Sequence, residues 1–176
     1  MDGNGASSSC SGMIGNGASS SRSGGIGNGA SSGDGRQAPV RPHILLVDTI
    51  EARCLANKRM FRDIHPCRVS TALSRMEALE FLGLADDSVR RSSFNGDHGP
   101  KVNLILTAYD MPEMNGFELL MKIKESALMS NVPIAVLLSE DDPALIERCL
   151  QGGANMCITE PLKTTDVTML LSLNQP

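Results

Sequence analysis

Short apolar runs alternate with amphipathic segments along the chain from His43 onward. Three runs are dominated by apolar residues, at 43–47, 102–106 and 134–138, as expected of strands that helices cover on both faces. Two further runs, at 67–72 and 156–158, complete five predicted strands. Strand patterns that alternate with helix patterns predict βα units and a parallel sheet.

The segments between these runs carry helix signals. Ser74 and Glu77 form a capping box before one apolar stripe, and Asp142 precedes the helix of another. Apolar residues recur at helical spacing in the first helix, about 50–64, and in the third, at Leu119, Leu120, Ile123 and Ala127. A last helix begins near Thr165 with little chain after it, so we expect no output domain to follow.

The alternating pattern and right-handed crossovers together predict the fold class. We expect a doubly wound α/β protein with a five-stranded parallel sheet in the order 2-1-3-4-5, the flavodoxin-like arrangement. The predicted domain spans residues 41–174, with a polar surface loop inserted at 85–101. Residues 1–40 repeat a Gly-Asn-Gly-Ala-Ser-Ser motif with almost no apolar side chains, which predicts a disordered tail.

Composition narrows the range of functions. A net charge of -4 provides no basic field for phosphate backbones, so we expect no direct nucleic-acid binding. No apolar run approaches the length of a membrane span, and no N-terminal apolar stretch is long enough for a signal sequence, so we expect neither. The five cysteines are scattered without metal-ligand spacing, which favours free thiols in an intracellular protein of the nucleus or cytoplasm.

Candidate chemistry lies where the predicted strands end. Asp48 and Thr49 follow the first strand, Ala108 follows the third, Leu138 ends the fourth, and Glu160 follows the fifth. In an open parallel sheet these carboxyl ends meet at one rim, where ligands bind beside the reversal of strand order. We therefore expect these residues to gather although they lie far apart in sequence.

Three motifs at this rim resemble the receiver domain of response regulators: VD at 47–48, YDMPEMNG at 109–116 and TEP at 159–161. The resemblance covers about 43–171. The stretches ALEFLGL at 78–84 and KIKES at 122–126, with the insertion and the absent output domain, resemble plant type-A regulators of cytokinin signalling. The resemblance implies a response regulator of the histidine-to-aspartate phosphorelay that damps cytokinin-driven transcription.

The family mechanism uses two acids for Mg²⁺, an aspartate that attacks phosphohistidine, a Ser or Thr that binds the phosphoryl oxygens, and a lysine before a proline. The matching positions here are Asp48 and Thr49, then Ala108, Leu138 and Glu160. Ala108 has no nucleophilic atom, and Glu160 replaces a cation by an anion. The resemblance therefore implies no phosphoacceptor and no catalytic residue. It also implies no resident cofactor, because carboxylates that the family uses to bind Mg²⁺ are missing.

Several interpretations stay open at this point. Asp48 either caps the loop and first helix or binds metal, and Glu160 is a rim charge. Asp110 either accepts the phosphoryl group in place of residue 108 or bonds its own backbone in a turn. The leading hypothesis is a non-enzymatic receiver that docks on a histidine-phosphotransfer protein or another regulator. The alternatives are a competent receiver phosphorylated at Asp110 and a chain without retained function.

Overall fold

The computed structural model describes residues 41–85, 101–112 and 115–174. Within them five strands and five helices alternate. The strands are β1 (His43–Val47), β2 (Arg68–Ala72), β3 (Leu104–Ala108), β4 (Ile134–Leu138) and β5 (Met156–Thr159), and the helices are α1 (Glu51–Ile64), α2 (Arg75–Phe81), α3 (Gly116–Glu125), α4 (Pro143–Gln151) and α5 (Thr164–Ser172). The predicted tail, nearly all of the predicted insertion, and Glu113 and Met114 of the second motif lie outside the described residues.

All four strand pairs are parallel, and the sheet order is β2-β1-β3-β4-β5, which confirms the predicted fold. In the register, Leu45 lies opposite Ser70 of β2 and Ile105 of β3. The chain reverses its direction of winding between β1 and β3. The carboxyl ends of these two strands therefore flank the place where open α/β sheets bind ligands.

Two apolar layers cover the sheet, one on each face. β1 shows why its sequence is continuously apolar: Ile44 and Leu46 pack into one layer, while Leu45 and Val47 pack into the other. The first layer includes Phe61 of α1 and Leu170 of α5, and the second is covered by residues of α2, α3 and α4. No helix in the described parts of the chain is long and apolar enough to cross a membrane.

Several element boundaries differ from the sequence prediction. β3 begins at Leu104, two residues after the predicted start, and the side-chain oxygen of Asn103 accepts a hydrogen bond from the backbone N–H of His43 at 2.8 Å. The shift makes Ala108 the last residue of β3. Ala127 lies beyond the end of α3, which is capped at Ser126. Apolar periodicity predicts that an element exists better than it predicts where the element ends.

Ser74 and Asp142 cap α2 and α4 as predicted, whereas the return bond of the predicted capping box goes to Leu73, one residue before the N-cap. The Ser74 hydroxyl accepts a hydrogen bond from the Glu77 backbone N–H at 3.1 Å, and the Glu77 carboxylate accepts one from Leu73 at 2.7 Å. The Asp142 carboxylate accepts from the backbone N–H of Ala144 at 2.9 Å. These local bonds satisfy N–H groups that a helix start leaves without partners, so they fix where α2 and α4 begin.

Candidate functional site at the carboxyl rim

The rim consists of the carboxyl ends of the five strands and the loops that follow them. Asp48 is the first residue after β1, an interior strand of the sheet, and is only 4% exposed. Its Oδ1 atom accepts a hydrogen bond from the backbone N–H of Ile50 at 2.9 Å, and Ile50 is the N-cap residue of α1. This bond orders the loop that precedes α1.

A guanidinium joins two rim carboxylates that are far apart in sequence. Arg53, in the first turn of α1, donates to Asp48 through Nε and through Nη2, the latter at 2.8 Å from Oδ1. Its Nη1 atom donates to Oε1 of Glu160, the residue that follows β5. We call this group of three side chains the Arg53 bridge. Hydrogen bonding to Asp48 is the largest cause of the raised pKa of Arg53.

Sequence reasoning missed Arg53 and interpreted Glu160 as a rim charge without naming a partner for it. The structure supplies the partner, because the Glu160 side chain, 23% exposed, is ion-paired with Arg53. A sequence signal did exist: a basic residue in the first turn of a helix, where acidic residues are preferred, follows an acid at the end of a buried strand. The identity of its second partner required the folded chain.

Ala108 ends β3 and is 2% exposed. Its side chain helps to line a cavity of about 10 Å³, room for about one water molecule, together with Asp48, Cys54 and Asn57 among others. Burial, followed by the charge of Asp48, raises the pKa of the Cys54 thiol to about 11, so this thiol stays protonated. Asn57 is a polar residue that is 8% exposed, and sequence reasoning did not single it out.

The start of α3 is packed directly against Ala108. A Cβ atom on Gly116 would lie 2.2 Å from the backbone oxygen of Ala108, closer than any real contact of that kind. The backbone N–H of Gly116 donates to the oxygen of Tyr109 at 2.7 Å. The glycine of the YDMPEMNG motif therefore has a structural role, which is to let α3 begin against the end of β3.

The remaining candidate residues are not part of the Arg53 bridge. Leu138 is 1% exposed and belongs to the apolar layer, so it presents no hydrogen-bonding group at the rim. Thr49 is partly buried in the loop after β1. Asp110 was expected either to bond its own backbone or to accept a phosphoryl group. Its Oδ2 atom accepts a hydrogen bond from the Ser139 hydroxyl at 2.6 Å.

These observations define the chain in two steps. A five-stranded sheet in this order, with its charged rim at the β1 and β3 switch point, defines a flavodoxin-like α/β domain. The family model of the response regulator receiver domain matches residues 44–172. The chain belongs to the response regulator receiver family.

Relatives and solved structures agree with this assignment. The chain is 44% identical over 128 residues to the two-component response regulator ARR17 of Arabidopsis thaliana, covering 73% of this chain and 81% of that protein. It is 41% identical over 128 residues to ARR16 of the same plant, covering 73% and 77%. The chemotaxis protein CheY4 of Vibrio cholerae has the same fold, with a TM-score of 0.62 and 20% identity over 77% of this chain and 99% of that one. The chain is thus a receiver-domain signalling protein of a two-component system, homologous to plant response regulators.

Proposed function

We propose that this protein is a phosphorylation-incompetent receiver that acts as a binding module in the plant histidine-to-aspartate phosphorelay. It docks on a histidine-phosphotransfer protein, or on another response regulator, and occupies that partner without accepting a phosphoryl group. In this role it is a type-A-like negative modulator of cytokinin signalling and not an enzyme. The comparisons show the family of the chain, and the proposal adds what this member of the family does.

The side chain at the end of β3 carries this proposal. The family mechanism requires a carboxylate there, and Ala108 supplies a buried methyl group. Neighbouring positions point in the same direction: Leu138 has no hydroxyl to bind phosphoryl oxygens, and Glu160 adds an anion where the mechanism needs a cation. Binding to a phosphorelay partner requires none of the three missing groups. Phosphoryl transfer requires all of them.

One specific observation keeps the alternative acceptor in the experiment. Asp110 is exposed, lies two residues beyond Ala108, and has a hydroxyl group at hydrogen-bond distance. Among the described residues of the second motif, Asp110 is the only one with a carboxylate. It is therefore the nucleophile that this motif offers beside the end of β3. The Asp110→Asn variant removes it with little change of shape.

The test is phosphoryl transfer from a phosphorylated histidine-phosphotransfer protein in the presence of Mg²⁺. We expect no acyl phosphate on this chain, and we expect the chain to retain the unphosphorylated and the phosphorylated donor equally well in a binding assay. A receiver that accepts the group from the same donor serves as the positive control. Label that disappears in Asp110→Asn would establish the competent alternative, and failure to bind any phosphorelay protein would leave the chain without the proposed role.

A further inference from the structure

We propose that Arg53 is the resident cation of the rim, so that both carboxylates of the Arg53 bridge have a cationic partner and are held together without Mg²⁺. The inference rests on the proposed function in that it explains how a receiver without a phosphoryl group or metal keeps its rim assembled. It assigns to Arg53 the part that the family mechanism divides between a metal ion and the lysine before the proline.

The bonding of Asp48 is the first argument. Its side chain is 5% exposed, and a carboxylate buried to this extent is costly unless a cation and hydrogen bonds compensate it. Arg53 supplies both through a two-point contact, which is the arrangement that guanidinium and carboxylate groups favour. Oδ1 also accepts from the Ile50 backbone N–H. Both oxygens of Asp48 are therefore engaged by donors of the chain.

The second argument concerns the charges that a Mg²⁺ ion would meet at this position. Mg²⁺ requires near-octahedral oxygen donors, usually one or two carboxylates with water and phosphate oxygens. The two carboxylates that meet here, Asp48 and Glu160, both face the positive charge of Arg53. No group of three or more His, Cys, Asp or Glu residues in the described ranges is arranged to hold a metal. The residues present therefore do not fit a resident Mg²⁺ ion.

The third argument is the set of elements that the bridge connects. Asp48 follows β1 in the interior of the sheet, Arg53 lies in α1, and Glu160 follows β5 at the sheet edge. One side chain thus connects three segments that the family mechanism would order around an exchangeable ion. A covalently attached guanidinium cannot dissociate, so the shape of this rim should not vary with the Mg²⁺ concentration.

The experiment is a Mg²⁺ titration of the full chain at constant ionic strength, followed by thermal unfolding and by amide chemical shifts. We expect the native protein to show no saturable response. Arg53→Gln should lower Tm by roughly 5 to 10 °C, because a buried carboxylate loses its cation. The same variant should gain a saturable Mg²⁺ response that partly restores Tm, because Asp48 and Glu160 then face each other without a protein cation.

Two control variants separate this role from a purely structural one. Arg59→Gln removes the same charge from an exposed position of the same helix and should leave Tm and the Mg²⁺ response unchanged. Glu160→Gln keeps the Asp48 contact and should fold with a smaller decrease in Tm and no Mg²⁺ response, which keeps the test informative if Arg53→Gln does not fold.

Specific outcomes would overturn the inference. A saturable Mg²⁺ response of the native protein would do so, as would an Arg53→Gln variant that folds and gains no Mg²⁺ response. These results leave the proposed function standing, because it is decided by phosphoryl transfer and partner binding. Conversely, a phosphorylated native chain would contradict the proposed function whatever the titration shows.

Discussion

Arg53 and Glu160 illustrate how charges at single positions depend on one another. Taken alone, Glu160 places an anion beside Asp48 and would raise the free energy of the rim. The guanidinium of Arg53 lies between the two carboxylates and donates hydrogen bonds to both, which lowers their mutual repulsion. The glutamate and the arginine therefore form one functional unit, and neither is interpretable from its own position in the sequence.

His43 gives a prediction at the same scale. This residue begins β1, is 5% exposed, and has ring nitrogens 2.9 Å from the Ser70 hydroxyl and 3.2 Å from the Lys101 backbone oxygen. Burial, and then the positive charge of Arg68, lower the pKa of His43 below its usual value of 6.5. The unfolded chain therefore binds this proton more readily than the folded chain.

The sign of the pH dependence follows from that difference. The contribution of His43 is fully present above the unfolded pKa and is lost as the pH falls through 6.5 toward the folded pKa. We expect urea unfolding between pH 8 and pH 5 to show a free energy that decreases toward acid, with a shallower slope for His43→Gln. His65→Gln removes an exposed imidazole and serves as the control. Equal slopes for His43→Gln and the native chain would contradict the assignment.

Helix starts are the features that matter most at the scale of elements, because α1, α3 and α4 all begin at the rim. Residues close in sequence cap the starts of α3 and α4 and order the loop before α1. Asp48 bonds Ile50 before α1, Asn115 accepts from Glu118 at 3.0 Å at the start of α3, and Asp142 caps α4. Local capping therefore sets where the rim loops end and how far the helices approach the strand ends.

The α4 cap provides a test with a matched neighbour. Asp142→Ala removes the acceptor for the Ala144 backbone N–H and should lower the free energy of unfolding by about 1 kcal/mol. Asp141→Ala removes the same charge one residue earlier, at an exposed position outside the helix, and should change it by less than about 0.5 kcal/mol. Urea unfolding of the two variants measures the difference. Equal losses would show that charge, and not capping, is responsible.

At the scale of the whole molecule, the positions that the family mechanism uses lie at the carboxyl ends of four different strands. Phosphoryl transfer depends on positioning and charge stabilisation, so a single restored nucleophile should not suffice. Ala108→Asp supplies the attacking carboxylate only. The variant still lacks a carboxylate at Thr49, a hydroxyl at Leu138 and a cation at Glu160.

The revertant series makes this prediction quantitative. Adding Thr49→Asp, Leu138→Ser and Glu160→Lys to Ala108→Asp should raise the transfer rate more than additively, since each charge-stabilising group is worth roughly two to three powers of ten. The quadruple variant still retains Arg53, which would repel the new lysine and compete for Asp48. We therefore expect a further increase when Arg53→Ser is added.

Single-turnover transfer from the phosphohistidine donor measures the whole series. A single Ala108→Asp variant as fast as the complete set would show that only the nucleophile has been lost.

The sequence by itself determined the parallel fold, the approximate strands, and the caps of α2 and α4, because apolar periodicity and capping depend on residues close along the chain. It also placed Asp48, Ala108 and Glu160 at strand ends that had to meet at one edge of a sheet. Only the tertiary structure decided which of these side chains touch. Arg53 and Glu160 are 107 positions apart, and Asp110 and Ser139 are 29 apart. No local pattern encodes such contacts, because they depend on the register of the strands and the direction of each side chain in the folded protein.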